Sequence, residues 1–549
     1  MPKKPAQNGV VWPGAALAGL VTFLVFLPAV RNGFVDLDDV GYIVGNRHIA
    51  ALDWKTVVWS FTHFHEANWH PLTMLSLALD RQLWGGDPFG FHLTNVILHS
   101  GTVVLSCFLF AFLLRKVYAG GGPDPREPRT DLVVPGSLAG ALFFGLHPLR
   151  VESVAWASER KDVLCLFFAV AAFLWYLRYA DRRSARPGRG FWVFGSYWMM
   201  LAAAALAFLS KPVAVSLPLV FLIADWYPLA RIGNRDGLLH ALAEKVPLLA
   251  MAAGTALLTV LAQQEPISLM SYVPVSSRLL VASKAVIFYV AKTVWPSSLA
   301  PYYPHPGDVM RTGPAPYLAY ASGVFALTVA AATAVRRSRK WAALWLYFLV
   351  TLAPMLGIIQ VGGQWMADRY TYLPALGLSL FWGGGVAWLI GKMRRKRHPA
   401  IVALIIGVAA CQLICYSVLT ERLIPFWRNT ETIATREIEL FPHQVGAAYN
   451  ARALFLYGEG KYGGALADID EALAIAKRKG LREKYAGLWM TRARILVGLG
   501  RAEEALAAAD RAIGESPGPP QAADVEFRDE LMRRIGRSEG GLLNPGHSP

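Results

Sequence analysis

Acidic and basic side chains recur in the segments that separate the apolar runs of this sequence. Three carboxylates, Asp36, Asp38 and Asp39, stand within four residues directly after the first apolar run. Cations follow much further along the chain, at Arg150, Arg160, Lys161, Lys211 and Arg369. An aspartate can take the proton from an incoming hydroxyl, whereas Arg and Lys suit a phosphate. Together they predict transfer of a group from a phosphate leaving group to a hydroxyl, with the five cations holding the phosphate.

The elements that must position these residues are membrane helices. The chain has 549 residues, of which 54% are hydrophobic and 17% are charged, and its mean hydropathy is +0.36. Soluble domains are nearer ~45–50% apolar and ~25% charged. The apolar runs are about 18–23 residues long, the length that crosses ~30 Å of hydrocarbon. We therefore expect a multi-pass integral membrane protein, with residues 11–30 as a retained first span and not a cleaved signal peptide.

The net charge of +16 is concentrated in short loops, as orientation signals are. No basic stripe interleaved with aromatic residues is present, so we expect no nucleic-acid partner. The cysteines, Cys107, Cys165, Cys411 and Cys415, all lie inside apolar runs. They are expected to be small packing residues and not a disulfide framework.

Apolar periodicity predicts an all-α fold, a polytopic bundle of about eleven spans. The predicted spans are residues 11–30, 91–115, 133–149, 163–180, 191–209, 212–229, 245–262, 315–335, 341–360, 373–391 and 399–419. Basic loops such as "RIGNR", "RRSRK" and "KMRRKRH" belong in the cytoplasm by the positive-inside rule. The segments that then face outward are residues 31–90, 150–162, about 210, 263–314 and 361–372.

The stretch 276–296 could form a twelfth span. Lys284 and Lys292 interrupt its apolar run, and a cation at a helix centre costs about 2.5–3.5 kcal/mol on insertion scales. We therefore expect an interfacial or re-entrant helix on the outer face.

The outward segments collect further polar side chains. Candidates for the same pocket are His70, His92, His147, Glu152, Asp162, Asp368 and Tyr370. His92, Asn95 and His99 share one helical face, but two histidines two turns apart with no carboxylate between them make a poor metal site. We predict no metal ligand set, and the cofactor stays unknown because a divalent metal could still assist.

Each of these residues also has a structural explanation. Asp36 or Asp38 could cap a helix, Arg150 could anchor the membrane interface, and aromatic residues near span ends are typical of interface belts. A shared site is favoured by convergence, because acids in one loop and cations in three others fall on one side of the membrane.

The sequence changes character after Thr420. Residues 1–420 form the predicted membrane domain, and residues 31–90 are its first outward loop. Two segments of the charged, Ala-rich remainder align at an offset of 40, with Ala453, Gly460, Ala465 and Ala472 matching Ala493, Gly500, Ala505 and Ala512. This spacing resembles the tetratricopeptide repeat, a helix–turn–helix unit, although an ordinary four-helix domain would give a similar pattern. We place a helical-repeat domain at residues 421–520 on the outer side, followed by a disordered tail at 521–549.

Several strings together resemble a known family. They are "FVDLDDVGYIVGN", "NWHPLTMLSLALD", "HPLRVESVAWASERKDVL", "LSKPVAVSLPLVFLIADWYPL" and "QWMADRYTYLP". The acidic pair after the first span resembles that of the GT-C glycosyltransferases, membrane enzymes that use lipid-phosphate sugars. Over residues 30–375 and the repeats, the strings resemble the transmembrane-and-tetratricopeptide-repeat O-mannosyltransferases and their bacterial relatives.

The resemblance implies inverting transfer of a sugar, mannose in animal members, from a polyprenyl-phosphate donor to Ser or Thr hydroxyls. By motif match, Asp38 and Asp39 take the place of the catalytic acidic pair, one of them as the base. Arg150, Glu152 and the segment Arg160–Asp162 fall near the donor. The expected partners are membrane lipid, the donor, and a protein or glycan acceptor. The Ala/Gly/Arg-rich composition suggests a bacterial plasma membrane with the site on its outer face.

The chain departs from the animal members because it has about two repeat units instead of a long array, so acceptor recognition by an extended groove is in doubt. One alternative is a GT-C transferase that acts on a lipid or glycan acceptor. A transporter with a partner-binding repeat domain would instead carry inverted repeats and mid-membrane charges. A third alternative is a non-catalytic membrane scaffold.

Overall fold

The computed structural model describes residues 11–120, 130–186, 188–264, 273–358, 364–481, 484–516 and 518–542. Within these residues the chain is helical apart from one two-stranded sheet, which confirms the predicted all-α class. Contacts divide the chain into two compact units, Met1–Arg428 and Asn429–Pro549. The boundary therefore falls eight residues beyond the predicted one at residue 420.

The first unit contains the membrane helices and several short helices at their ends. In chain order, its α-helices are α1 Trp12–Phe26, α2 Trp54–Thr62, α3 Pro71–Trp84, α4 Pro88–Gly120, α5 Val133–Gly145, α6 Val151–Ala155, α7 Arg160–Ser184, α8 Gly195–Ser210, α9 Leu217–Trp226, α10 Arg235–Ala262, α11 Val275–Val294, α12 Val309–Thr312, α13 Ala315–Ala334, α14 Arg339–Leu352, α15 Ala375–Arg395 and α16 Pro399–Leu423. Proline begins α3, α4 and α16, where its missing N–H costs nothing.

Seven helical stretches of the described residues are long and apolar enough to cross a membrane. They are Trp12–Arg31, Pro88–Tyr118, Ala157–Ser184, Arg235–Ala262, Ala315–Ala334, Ala375–Arg395 and Pro399–Trp427, and each coincides with a predicted span. Three further apolar helices, Val133–Gly145, Gly195–Ser210 and Pro212–Trp226, are shorter. The total of eleven spans stays a prediction, as does the interfacial placement of α11, a helix of 20 residues outside the seven.

Close packing of α5 on α15 brings two polar segments to the same end of the bundle. A Cβ at Gly383 would collide with the backbone of Gly136 and Gly140, so only glycine permits this approach. Because α5 runs into the turn at His147–Arg150 and α15 follows the turn at Asp368–Thr371, these two turns become neighbours. A short antiparallel pair, β1 Tyr303–Pro304 with β2 Gln364–Met366, fixes the second turn from its other side.

The second unit consists of α17 Thr430–Leu440, α18 Gly446–Gly458, α19 Tyr462–Lys479, α20 Tyr485–Gly498, α21 Ala502–Gly514 and α22 Ala522–Leu542. The matched alanines, such as Ala453 with Ala465 and Ala493 with Ala505, are buried between paired helices. Gly460 and Gly500 both adopt φ +73° in the turns, a conformation that favours glycine. The two hairpins thus occupy the predicted positions, and their assignment to the tetratricopeptide class stays a prediction.

The tail prediction needs correction, since residues Ala522–Leu542 form a helix where disorder was predicted from residue 521. Phe527 and Leu531 lie one helical turn apart and pack against the core of the α20–α21 hairpin. The Pro/Gly/Ser content of the segment obscured this apolar face. Residues 543–549 lie outside the described residues.

Candidate active site

Acidic and basic residues from four distant segments meet at one end of the first unit. The Lys161 Nζ lies 2.7 Å from an oxygen of Asp38 and 3.3 Å from one of Glu159. The Lys211 Nζ lies 3.1 Å from the other Glu159 oxygen, and the Arg369 Nε lies 3.3 Å from Glu159. Glu159 therefore binds three cations and holds the segments together. We call this group, completed by Glu152 and Asp162, the active-site cluster.

Helix ends supply the members of the active-site cluster. Glu159 ends a 3₁₀ turn, and Lys161 and Asp162 lie in the first turn of α7. Lys211 lies between α8 and the 3₁₀ turn Pro212–Ser216, with its Nζ 2.7 Å from Asp162. A carboxylate in the first helical turn is stabilised by the helix dipole. The local structure thus places charge at the ends of the helices and not at their centres.

The two aspartates of the predicted acidic pair are in different environments. The Asp39 side chain is fully buried and accepts hydrogen bonds from the backbone N–H groups of Ser158, at 2.9 Å, and Val35, at 3.0 Å. Burial raises the pKa of Asp39 to about 6, although those hydrogen bonds lower it in part. The Asp38 side chain is 41% exposed and accepts from Lys161. Asp38 is thus accessible to a substrate, whereas Asp39 fastens the first loop to the turn before α7.

Arg369 is held from two sides. Its backbone N–H donates to Glu152 at 2.8 Å, and its guanidinium forms a further short ion pair with the same carboxylate. The guanidinium also lies over the rings of Trp156 and Tyr370, at 5.4 and 5.2 Å from their centroids. The side chain of Arg369 keeps 13% exposure, so it is oriented and still reachable.

Arg150 lies beneath the exposed cations and has donors to spare. Its Nη2 donates to Thr371 Oγ1 at 2.7 Å, and its guanidinium lies over the rings of Phe144 and Tyr372. Its Nε and Nη1 have no partner among the described residues. Buried donors are normally satisfied, so an anion or a water molecule would fit beside Arg150.

His70 also keeps a free polar atom next to the active-site cluster. Its Nδ1 lies 3.4 Å from the Tyr42 hydroxyl, and its Nε2 has no partner among the described residues. Burial, together with the nearby Lys161 and Lys211, holds the pKa of His70 well below its ordinary value. The imidazole is therefore neutral at pH 7 and can accept or donate one hydrogen bond.

A small cavity adjoins the active-site cluster. Its lining combines the charged side chains of Asp162, Lys211 and Arg369 with apolar residues such as Leu166 and Met355. Its volume of ≈ 10 Å³ holds about one water molecule, so side chains must move before a larger group can enter. A lining that contains both cations and apolar side chains suits the junction between a phosphate and a lipid chain.

Three predicted site residues bind groups outside the active-site cluster. Arg160 is fully buried, and its guanidinium binds Asp80 at 2.6 Å together with Ser76, Asn95 and the Phe91 carbonyl. His92 binds the Gly33 carbonyl at 3.2 Å, and His147 binds the Thr293 carbonyl at 3.0 Å. These side chains fix backbone around the site, so we leave Arg160 out of the phosphate-binding proposal.

Asp368 and Tyr370 lie beside the cluster and not within it. Asp368 accepts from the Tyr303 hydroxyl at 2.9 Å, and burial raises the pKa of Asp368. The Tyr370 hydroxyl accepts from Gln364 at 3.0 Å. No group of three or more His, Cys, Asp or Glu side chains is placed to hold a metal ion in the part of the chain that the structure describes.

Sequence reasoning missed Glu159, the residue at the centre of the ion pairs. It belongs to the quoted string "HPLRVESVAWASERKDVL", but it was not among the candidate site residues. Its signal was its position directly before two cations at the start of a predicted span.

Comparison with known proteins confirms the resemblance indicated by the sequence motifs. Human protein O-mannosyl-transferase TMTC4 is 31% identical over 206 residues, which are 36% of this chain and 27% of the relative. Tmtc2 of Drosophila melanogaster is 28% identical over 217 residues, 37% of this chain and 21% of the relative. The chain thus spans about a quarter of the length of these curated relatives. No family model matches the sequence.

Among solved structures, the oligosaccharyltransferase of Archaeoglobus fulgidus in its apo form is similar to this chain at 14% sequence identity. The TM-score is 0.42, over 77% of this chain and 56% of the archaeal chain.

Proposed function

We propose that this chain is a membrane glycosyltransferase that moves a sugar from a polyprenyl-phosphate donor to a hydroxyl acceptor, with protein Ser or Thr as the first candidate. The observation that carries the proposal is the placement of Asp38. It is an accessible carboxylate in the same ion-pair cluster as Lys211 and Arg369, and these two cations line a small cavity together with apolar side chains. The similarity to O-mannosyl-transferases supports the same activity.

Asp38 acts as the general base. Its carboxylate takes the proton of the acceptor hydroxyl as that oxygen attacks the anomeric carbon. The bond between the anomeric carbon and the phosphate oxygen breaks, and the lipid phosphate leaves with the electron pair. Attack from the face opposite the leaving group inverts the anomeric configuration. Lys161, 2.7 Å from Asp38, orients the carboxylate.

Lys211 and Arg369 hold the phosphate of the donor. Both line the small cavity, and their side chains keep only 10% and 13% exposure. Preorganised cations at the position where negative charge develops lower the barrier without reorganisation. Arg150 is buried, and its Nε and Nη1 have no partner among the described residues, so it is a further candidate donor to an anion.

Asp39 is a positioning residue. Its two backbone hydrogen bonds fix residues 35–39 against Ser158, and this sets the position of Asp38 relative to Lys161. The arrangement favours an enzyme over a transporter, because the charges of the cluster lie at the ends of the helices and not halfway along them.

The proposal is tested by reconstituting the purified chain in liposomes with a panel of radiolabelled polyprenyl-phosphate sugars. Synthetic Ser/Thr peptides, glycans and lipids serve as acceptors, and mass spectrometry with NMR gives the product and its anomeric configuration. We expect one donor to yield an inverted O-linked product. A product on a lipid or glycan alone would change the acceptor, and inactivity with every donor would favour the scaffold.

A further inference from the structure

A second, much larger cavity lies within the first unit. Its volume is ≈ 500 Å³, and residues of α4, α7, α9, α14 and α15 line it. Its walls are aliphatic and aromatic, for example Leu109, Phe173 and Ile223. Ligand pockets have volumes of about 300–1,000 Å³, so the space is large enough for part of a lipid.

This cavity is separate from the candidate active site. Along α4, Asn95 binds the backbone of residues 154–157 next to the active-site cluster, whereas Leu114 lines the large cavity. Leu114 lies nineteen positions after Asn95, which corresponds to ~28 Å of helix. Among the residues that the structure describes, none lines both cavities.

Basic and aromatic residues mark one end of the large cavity. Lys340 and Trp341 at the start of α14 line it, and the Lys340 Nζ lies 5.2 Å from the Trp341 ring centroid. Trp388 also lines it, with Lys392 over its ring at 5.0 Å. The neighbouring sequences "RRSRK" (336–340) and "KMRRKR" (392–397) hold nine Lys and Arg and no acidic residue. The positive-inside rule accounts for cations in these loops, but not for a lysine in the wall of a cavity.

We propose that the large cavity binds an anionic phospholipid of the surrounding membrane. An acyl chain occupies the apolar space, and the phosphate lies at Lys340, the lysine of the cavity lining. Basic pockets between membrane helices recognise anionic headgroups in this way, and interfacial tryptophans fit the boundary between headgroup and chain. The cations lie at the end of the cavity remote from Asp38, so the donor's phosphate does not account for them. This proposal does not depend on the proposed glycosyl transfer.

A glycine in the cavity wall provides a direct test. Gly385 on α15 lines the cavity, and a Cβ there would meet no atom within 4 Å, so we expect Gly385→Leu to occupy part of the space. Gly407 on α16 is also helical and open but does not line the cavity. Gly407→Leu is therefore the matched control. Lys396→Gln is the control for Lys340→Gln, since Lys396 lies in a basic loop but outside the cavity lining.

The experiment is native mass spectrometry of the full chain, titrated with phosphatidylglycerol or phosphatidylcholine of the same acyl chains. We expect wild type to prefer phosphatidylglycerol. Gly385→Leu should weaken its binding by about tenfold, and Lys340→Gln should lower the preference by about fivefold. Both controls should bind as wild type does, and thermal unfolding confirms that each variant is folded.

Three results would overturn the proposal: equal binding of the two lipids by wild type, undiminished phosphatidylglycerol binding by Gly385→Leu, or displacement of phosphatidylglycerol from this cavity by polyprenyl phosphate. The last result would assign the cavity to the donor's chain.

Discussion

Two charge clusters contact α7, one at its first turn and one at Tyr176, and they differ in accessibility. The active-site cluster contains Lys161 and Asp162 at the beginning of the helix. The second charge cluster contains Tyr176 on α7 and, from other segments, Asp225, Arg231, Glu244 and Lys245. Lys161 and Tyr176 are separated by fifteen residues, ~22 Å along the helix. Both clusters are dense in ion pairs and well shielded from water.

The second charge cluster is closed. Asp225 and Lys245 are fully buried, and Arg231 donates to both oxygens of Glu244 at 2.7 Å. None of the buried side-chain atoms of Tyr176, Asp225, Glu244 or Lys245 in the described structure lacks a partner. The active-site cluster instead exposes 41% of Asp38 and adjoins free atoms on His70 and Arg150. Buried ion pairs also occur as structural networks. The buried Tyr179 hydroxyl, next to Arg231, also lacks a partner among the described residues, so it is the exposure of Asp38 that distinguishes the candidate site.

The largest effect is expected for Asp38→Asn, which should lower the transfer rate without lowering stability. Asp38→Asn removes the base, and we expect transfer to fall by about 10²–10⁴-fold while the unfolding temperature stays near that of wild type. Initial rates in liposomes and thermal unfolding in detergent measure the two properties. Asp36→Asn, an exposed carboxylate two residues away, is the control and should retain activity. Full activity of Asp38→Asn would reassign the base.

The same substitution in the second charge cluster should act on stability instead. Asp225→Asn leaves Lys245 and Arg231 without their carboxylate partner in a buried site. Breaking one partner of a buried pair costs about 3–5 kcal/mol. We expect a lower free energy of unfolding, measured by denaturant titration in detergent. The double variant Asp225→Asn with Lys245→Met should recover part of the loss. Unchanged stability of Asp225→Asn would show that the closed cluster is not structural.

Asp39 should make the stability of the folded chain depend on pH. Its pKa is raised from 3.8 to about 6 in the folded chain, so between these values the folded state binds more protons than the unfolded state. This term therefore lowers stability as pH rises from about 4 to about 6, by roughly 3 kcal/mol in total. Asp39→Asn lacks this titrating group. Between pH 4 and pH 7, the unfolding free energy of wild type should therefore fall relative to that of the variant, measured at both pH values. A constant difference would contradict the assignment.

The smallest effect is expected where an ion pair is exposed. The Lys116 Nζ lies 2.6 Å from Asp181, but both side chains are about two-fifths exposed. Exposed pairs contribute about 0–1 kcal/mol. Lys116→Gln should therefore change the unfolding free energy by less than about 1 kcal/mol, and high salt should reduce the difference further. A loss comparable to that of Asp225→Asn would mean that burial is not what separates these pairs.

Much of this arrangement was predictable from the sequence. Charged residues next to apolar runs cost free energy and so indicate function, and the basic loops predict on which side of the membrane they lie. Asp38, Lys161, Lys211 and Arg369 were selected on that basis, and the structure brings them together. It was not predictable that the neighbouring side chains of Arg160 and Lys161 bind different carboxylates. Consecutive residues at a helix start point about 100° apart, so Arg160 faces Asp80 while Lys161 faces Asp38.

Other features depended on tertiary packing. Whether Asp38 or Asp39 is buried is decided by Ser158, a residue 119 positions away from Asp39 in sequence. The second charge cluster was missed because its members lie near basic loops that were used only to set orientation. The large cavity has no sequence signal, since its lining residues also suit contact with lipid.

The central claim is that Asp38, and not Asp39, takes the acceptor proton. The most direct measurement compares the transfer rates of wild type, Asp38→Asn and Asp39→Asn with one active donor, at saturating acceptor and equal amounts of folded protein. We predict that Asp38→Asn loses nearly all activity while Asp39→Asn keeps a measurable fraction. An inactive Asp39→Asn beside an active Asp38→Asn would contradict the account.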